Sequence, residues 1–404
     1  MFQRTAYGQF LILYFMTLTA ACAQGFTAIR GVVSDAETGE VLPEVIISIQ
    51  YSGFSAGANE EGHFLFKYPN ILTDSAVVTA SAIGYMSKQI PTKDLDHSKL
   101  HMIQLEPAEP IQVMLGVSNA RGLVQSALDS MKRSHFEKPM LQNGFYLETA
   151  EIINTGVVKI KEAVLRVERF PGEEILPDRM KALKNRQLNL KGHSEKVEAW
   201  QFINGPAIAA RAIETERPDF LQPDALKKYD FVVDSLLIPF DSLKLYVVQF
   251  QPRSANLRGG RTGKIYIDTD SKSVIRIEYE LTPKALKEVI GPGLSNVKLT
   301  GKSLKYSSQY RKSEGKWLLH ENRATVDLTY EEKLDRKFKS DAHWEYRFVA
   351  NESRDLRRGG VTEAEQLIHT RDFKKATSLG AEYWDSYGYL LPSQRLIEMQ
   401  RRLR

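Results

Sequence analysis

The chain has 404 residues, enough for roughly two or three domains of ordinary size, and 42% of it is hydrophobic against 26% charged, a balance able to build real cores. Lys+Arg 55 against Asp+Glu 50 leaves a net charge of only +5, with the signs interleaved. That excludes the concentrated basic stripe of a nucleic-acid binder, since the one local basic cluster, the terminal QRRLR, is too short to serve.

The first segment reads as a targeting signal. Arg4 supplies a positive start, Phe10 to Ala21 is an uncharged apolar run, and Ala21-Cys22-Ala23 stands as an A-x-A cleavage site before Gln24. This pattern is a secretory signal peptide over residues 1–23 rather than a membrane anchor. No later segment approaches the roughly 18 apolar residues that a spanning helix needs. The mature chain is expected to start at Gln24, to lack a transmembrane helix and to be exported, placed in the periplasm or on the outer membrane. Cleavage there also removes the single cysteine, Cys22, so no disulfide is expected. The alternative is lipidation at Cys22. A lipoprotein signal wants an aliphatic residue three places before the cysteine, where Thr19 stands, with Leu18 one place too early.

Residues 24–106 read as strands only. Ile29, Val32 and Val33 are followed by the turn cluster Asp35 to Gly39; Val45 to Ile49 is β-branched; Phe64 and Phe66 share a face after a turn at Gly62; AVVTAS and LHMIQL complete five short strands. Without any helical period, the set predicts a small β-sandwich. The blocks GVVSDAETGEVLPEVIISI, NEEGHF and SAIGY resemble the carboxypeptidase regulatory-like domain, a transthyretin-like sandwich, over about Phe26 to Pro107. Members of that family often carry Thr-Asn or Thr-Asp before the Gly-x-Phe strand, where this chain has Ala58-Asn59. The resemblance implies the non-catalytic module of carboxypeptidases, and the chain contains no H-x-x-E zinc pair.

Within this module GFSAG, Gly53 to Gly57, fits the G-x-S-x-G signature of a serine hydrolase. The nucleophile elbow requires a strand, a strained turn and then a helix. Here the turn Asn59 to Gly62 follows instead, so the glycines read as loop residues and Ser55 as non-catalytic.

EPAEPIQVMLG suits a linker, assigned to residues 107–116. Next, Ala120, Val124, Ala127, Leu128 and Met131 recur at helical spacing behind an N-cap at Asn119, and Pro139 stops the helix. Two strands joined at Asn154-Thr155-Gly156 read as a hairpin, with Val158, Ile160, Glu162, Val164, Arg166 and Glu168 on one face of the second. PDRMKALKNRQLNLKGHSEK reads as a polar surface excursion, and a short helix is expected before Pro218. From Leu243 the chain alternates regularly, with turns at Asp268 to Asp270 and at Glu314-Gly315. In KFKSDAHWEYRFV, Phe338, Ser340, Ala342, Trp344, Tyr346 and Phe348 share one face, while Lys337, Lys339, Asp341, Glu345 and Arg347 share the other. These are long antiparallel strands with one wet face, forming a sheet that must be covered by a helix or by its own curvature. GKIYIDTDSKSVIRIEYEL with YVVQFQP resembles the curved half-barrel of bacterial lipoprotein carriers, and also the uncharacterised region that follows the regulatory-like module in Gram-negative envelope proteins. AEYWDSYGYLLPSQRL resembles the close of that region.

Other motifs lack the context their chemistry needs. In GGRTGK, Gly259 to Lys264, Arg258 stands at the first-glycine place of a phosphate loop and a strand follows the lysine. His97 and His101 have metal-ligand spacing only on a helix, and their segment runs into a strand. The carboxylates of Glu60-Glu61 and Glu331-Glu332 are neighbours in sequence and point apart on a strand, so neither makes an acid/base pair. Trp317, Tyr330, Trp344 and Tyr346 are the candidate ligand-facing aromatics, if the sheet encloses a cavity.

The expectation is therefore a mainly β chain. A transthyretin-like sandwich over 24–106 and a linker over 107–116 lead into an α+β domain over 117–350 with a curved antiparallel sheet and a packing helix; a tail with helical segments covers 351–404. The two parts are expected to fold independently. Functionally the sequence points to a non-enzymatic exported envelope protein that binds a protein partner or a surface glycan, without cofactor, metal or nucleic acid. The alternative is a periplasmic carrier holding a lipid or lipoprotein acyl chain in the curved sheet.

Overall fold

A computed structural model describes residues 25–403 except 113–118, 136–137, 154–155, 171–177, 190–204, 214, 216, 291–296, 333–338, 357–360, 362–376 and 379–389. The expected signal segment with Cys22, the turn residues Asn154 and Thr155, and the aromatic stretch around Trp384 lie outside the described residues, as does the side chain of Asn119.

Seven strands form the N-terminal sandwich: β1 (Phe26–Asp35), β2 (Ile46–Ile49), β3 (Ser55–Gly57), β4 (His63–Pro69), β5 (Val77–Ser81), β6 (Lys88–Pro91) and β7 (Leu100–Leu105). They divide into a sheet ordered β4-β1-β7 and a second ordered β3-β2-β5-β6. The alternation of each strand sends one row inward, so Ile29, Val33, Ile47, Ile49, Phe64, Phe66, Val78 and Ile103 make one closed core. β3 and β6, the two strands that alternation does not reveal, are the short outer strands of the second sheet.

The described residues that follow build one open sheet of twelve strands. Its elements are β8 (Ile111–Gln112), α1 (Asn119–Ser134), β9 (Met140–Ile152), β10 (Gly156–Arg169), β11 (Arg179–Asn189), α2 (Gly205–Ala209), α3 (Ala225–Lys228), β12 (Tyr229–Phe240), β13 (Leu243–Pro252), β14 (Arg261–Asp268), β15 (Val274–Leu281), α4 (Pro283–Ile290), β16 (Val297–Ser313), β17 (Lys316–Glu332), β18 (Lys339–Asp355), β19 (Thr377–Ser378) and α5 (Gln394–Leu403). The spatial order is β19-β11-β10-β9-β18-β17-β16-β15-β14-β13-β12-β8, curved but not closed. Strands β12 to β18 form a meander, and β18 then pairs with β9, which brings the first hairpin of the domain alongside its last long strand.

The inner face of this sheet carries the main apolar core of the described residues. α1 lays Ala120, Val124, Ala127, Leu128 and Met131 into a core with Ile275, Ile277, Trp344 and Tyr346, joined by Phe220, Leu221, Leu286 and Ile290. Glycine at 205 lets α2 approach Tyr146 and Tyr346, whose atoms would lie within about 2.5 Å of a Cβ there. No helix of the described residues is long and apolar enough to cross a membrane.

Several expectations change. Residues 179–189 are strand β11 rather than a surface excursion: Met180 and Ala182 alternate into the core, and the polar row between them lies near the sheet's edge. The predicted face of β10 holds from Ile160 onward, but a bulge between Val157 and Lys159 turns Val158 to the opposite, inner side. Residues 111–112 of the predicted linker pair with β12 as an edge strand of the large sheet. The outer face is not simply wet. α5 packs Leu396 and Met399 over Phe145, Leu147, Ile160 and Val164, and the sandwich sits on the strands from β15 to β18.

Candidate functional site

The junction between sandwich and sheet is tight on one side and open on the other. On the tight side GFSAG forms the seam. A Cβ on Gly53 would lie 1.8 Å from the Ser353 carbonyl oxygen, so glycine is required where the two backbones meet, and Ser353 N donates to Gly53 O at 3.0 Å. Ser55 Oγ donates to the Ala350 carbonyl at 2.7 Å. Arg311 donates from Nη1 to Ser52 O (3.0 Å) and from Nη2 to Gly53 O (2.5 Å), and Ser313 Oγ donates to Ser52 O at 2.7 Å.

Beside this seam lies a buried ion network. Arg347 of β18 holds Glu321 of β17 through two bonds, at 2.6 and 3.1 Å, and reaches the Ala58 carbonyl of the sandwich at 3.1 Å. Glu44 of the sandwich accepts two bonds from Arg276, each 3.0 Å. Burial works against the Glu44 charge, but Arg276 and Arg347 hold its carboxyl below the usual carboxylate range. Burial pushes the Glu321 carboxyl up, with Arg347 opposing.

The structure also brings a histidine to Ser55: His320 Nδ1 lies 3.4 Å from Ser55 Oγ. Sequence reading did not foresee this, because the two residues are 265 positions apart. The pair lacks the arrangement of an activated nucleophile. The serine proton is given to Ala350 O, both side chains are buried, and no carboxylate orients the ring, whose Nε2 has no hydrogen-bond partner. Burial, with Arg311 and Arg347 adding to it, drives the His320 pKa well down and keeps the ring neutral. Ser55→Ala should therefore leave the protein unlabelled by a fluorophosphonate probe, as the native protein should be, and lower folding stability by about 1 kcal/mol through the lost hydrogen bond. Labelling of the native protein that disappears in the variant would refute this assignment.

On its other side the junction opens into a cleft of about 570 Å³, within the range of roughly 300–1,000 Å³ typical of pre-formed ligand sites. The sandwich contributes Ser48, Gln50, Thr79, Ser81 and Gln89, the outward rows of β2, β5 and β6 with the residue after β2. The large sheet contributes the ends of two hairpins, Phe240 to Leu243 and Arg311 to Trp317. Ser87 Oγ bonds the Asp241 carboxylate and Gly84 N donates to Pro239 O at 2.7 Å, which ties that end of the sandwich to the β12–β13 turn. Tyr51 is 81% exposed beside the cleft and held in a left-handed backbone conformation (φ 56°). A second cavity, under α5, is only about 60 Å³, too small for an organic ligand.

Of the four aromatics named from sequence, Trp317, Tyr330, Trp344 and Tyr346 are 2–4% exposed and belong to the inner core. Only Trp317 also lines the cleft. His97 meets Tyr68 Oη and His101 meets the Asp96 carbonyl, each at 3.0 Å, so the two rings are engaged separately. In GGRTGK, Gly259 has φ 65° in the turn before β14, and Arg261 pairs with Asp219 at 2.6 Å. The cleft residues escaped sequence reading because a row of Ser, Thr and Gln in a short strand looks like any solvated face.

Neither a family profile nor a curated protein matches the sequence, and the resemblance of residues 26–107 to the regulatory-like module has no such match behind it. Among solved structures, a DUF1329 family protein from Desulfovibrio piger shares 12% identity over 61% of this chain and 95% of its own, with a TM-score of 0.23. A protein from Bacteroides fragilis, provisionally described as membrane-associated and of unknown function, shares 9% identity over 80% of this chain and 97% of its own, with a TM-score of 0.15. Overlap at this level establishes neither a common fold nor a common activity.

Proposed function

We propose that the protein is a non-enzymatic binding module of the cell envelope and that its ligand enters the cleft between the sandwich and the large sheet. The observation that supports this is the contrast between the two candidate spaces. The inner face of the curved sheet carries, among the described residues, its own packed helices and aromatic core. The junction cleft is open, walled by two elements of the fold, and carries hydroxyl and amide side chains beside the apolar Met86, Phe240, Leu243 and Trp317. The apolar groups give such a lining contact area, and the hydroxyl and amide groups select a ligand with polar groups to bond. Export follows from the signal-like residues 1–23 and belongs to the same reading.

Ser48→Trp tests it by filling the cleft from β2. Native purification of both proteins from the envelope, followed by mass spectrometry, should show a polar ligand retained by the native protein and depleted at least about tenfold in the variant. Identical retention by a folded variant would remove the cleft from consideration.

A further inference from the structure

Arg311 is the one buried charged residue in the lining of the cleft. The residue lies at the end of β16, is 3% exposed, and lines the cleft. Its Nη atoms bond the Ser52 and Gly53 carbonyls, but among the described residues its Nε has no partner and no carboxylate forms an ion pair with it. Buried guanidinium groups elsewhere at this junction are compensated: Arg347 by Glu321, Arg276 by Glu44 and Glu278. A buried, uncompensated charge is costly, and folds normally pair it. Burial alone pulls the Arg311 pKa down to about 10, which still leaves the group cationic at neutral pH.

A second orphan stands on the sandwich side of the cleft. Thr79 Oγ1, on β5, is buried without a hydrogen-bond partner and also lines the cleft. The remaining charged residues of the lining do not answer Arg311: Asp241 is engaged by Ser87, Glu314 is exposed on the β16–β17 turn, and Lys312 adds a second positive charge. Around these groups are the side chains of Ser48, Gln50, Ser81 and Gln89, with the exposed ring of Tyr51 alongside. Hydroxyl and amide groups match sugar hydroxyls, an exposed aromatic ring offers a face for a pyranose, and an unpaired guanidinium calls for an anion.

We infer that the cleft binds an acidic saccharide, with Arg311 as counter-charge to its anionic group and Thr79 as hydrogen-bond partner to the same sugar unit. This rests on the cleft being the ligand site. Carboxylated and phosphorylated sugars share the required chemistry, and a peptide with a free carboxylate is the competing class.

Calorimetric titration of the full mature chain separates these outcomes. The probes are a uronate trisaccharide, a phosphorylated trisaccharide, the neutral parent of each, and a tripeptide with a free C-terminus. At least one acidic saccharide should bind about tenfold or more tightly than its neutral parent, the range of one charge-assisted contact. Arg311→Met should abolish that preference. Because Arg311 also holds the loop at Gly53, Thr79→Val provides a second variant that leaves the loop bonds untouched; it should weaken the acidic saccharide several-fold while the far-ultraviolet spectrum is unchanged. Equal binding of acidic and neutral sugars, lost in Ser48→Trp, would overturn the anionic assignment and leave the cleft as the site. Binding of the tripeptide in preference to every saccharide would overturn the saccharide class. If no probe binds, the inference fails, and the fate of the cleft reading is then decided by the copurification experiment alone.

Discussion

Replacing Arg347 with Met is expected to destabilise the protein by about 3–5 kcal/mol, the usual consequence of stranding one member of a buried ion pair. The two side chains are 4% and 6% exposed, so water cannot take over from either of them. Removing the guanidinium leaves Glu321 without its two strongest hydrogen bonds and leaves the Ala58 carbonyl of the sandwich without Arg347. The sign of the pH dependence follows from Glu321. Burial already raises its carboxyl pKa, and without Arg347 that effect is unopposed by its main cation. A carboxyl whose folded pKa lies above its unfolded value binds a proton more tightly when folded. Its contribution to stability is complete below the unfolded pKa and is lost as pH rises through the folded one. The deficit of the variant should therefore be smaller near about pH 5 than near about pH 8. Urea unfolding at both values measures it. A companion change of Glu321 to Leu should recover much of the loss, since an apolar pair of similar volume is often as stable as a buried ion pair. A loss below about 1 kcal/mol, or a deficit that grows on acidification, would show that the pair is effectively solvated.

The same pair shows what the sequence could and could not convey. Alternation places Trp344, Tyr346 and Phe348 on one face of β18 and Glu345 and Arg347 on the other, and the structure has them so. Period-two patterning fixes which residues share a face, because side chains alternate strictly along a strand. It does not say what covers each face. Arg347 was assigned to water and lies instead beneath the sandwich. Lys159 and Lys161 are a sharper case. Lysine is almost never fully buried unless paired, yet in the fold these two are 1% exposed on the inner side, where Lys159 pairs with Glu148 at 2.5 Å and Tyr146 Oη donates to the same carboxylate at 2.9 Å. β11 was missed for a related reason. Lys181, Lys184, Asn185, Arg186 and Gln187 outnumber its two core residues, and near a sheet edge only a thin apolar row is needed. The cleft depends on the sandwich meeting two hairpin ends, at Phe240 to Leu243 and from Arg311 onward, that lie far from it in sequence, and no local pattern encodes that.

Leu128→Ala is expected to cost about 2–5 kcal/mol, the transfer loss of the side chain together with the cavity it leaves. Leu128 sits on the buried stripe of α1 between Val124 and Met131, and all three belong to the core of the large sheet. Trp317 and Trp344 are buried in the core of the large sheet, so their fluorescence follows the large domain. The fluorescence midpoint in urea should fall by an amount matching the free-energy loss. The sandwich has its own closed core, from Ile29 through Ile103, and shares none of those residues with the helix. Amides of β1 and β4 should accordingly keep their hydrogen-exchange protection at urea concentrations where those of β16 and β17 have lost it. The seam at Gly53 and the ion pairs at Glu44 supply a competing expectation, because a junction strong enough to couple the parts would make both sets of amides exchange together. Exchange measured on Leu128→Ala decides between them. Sequential loss makes the sandwich an autonomous unit resting on the sheet, whereas simultaneous loss at a shifted midpoint makes the two parts one cooperative unit, with the cleft a fixed feature of it.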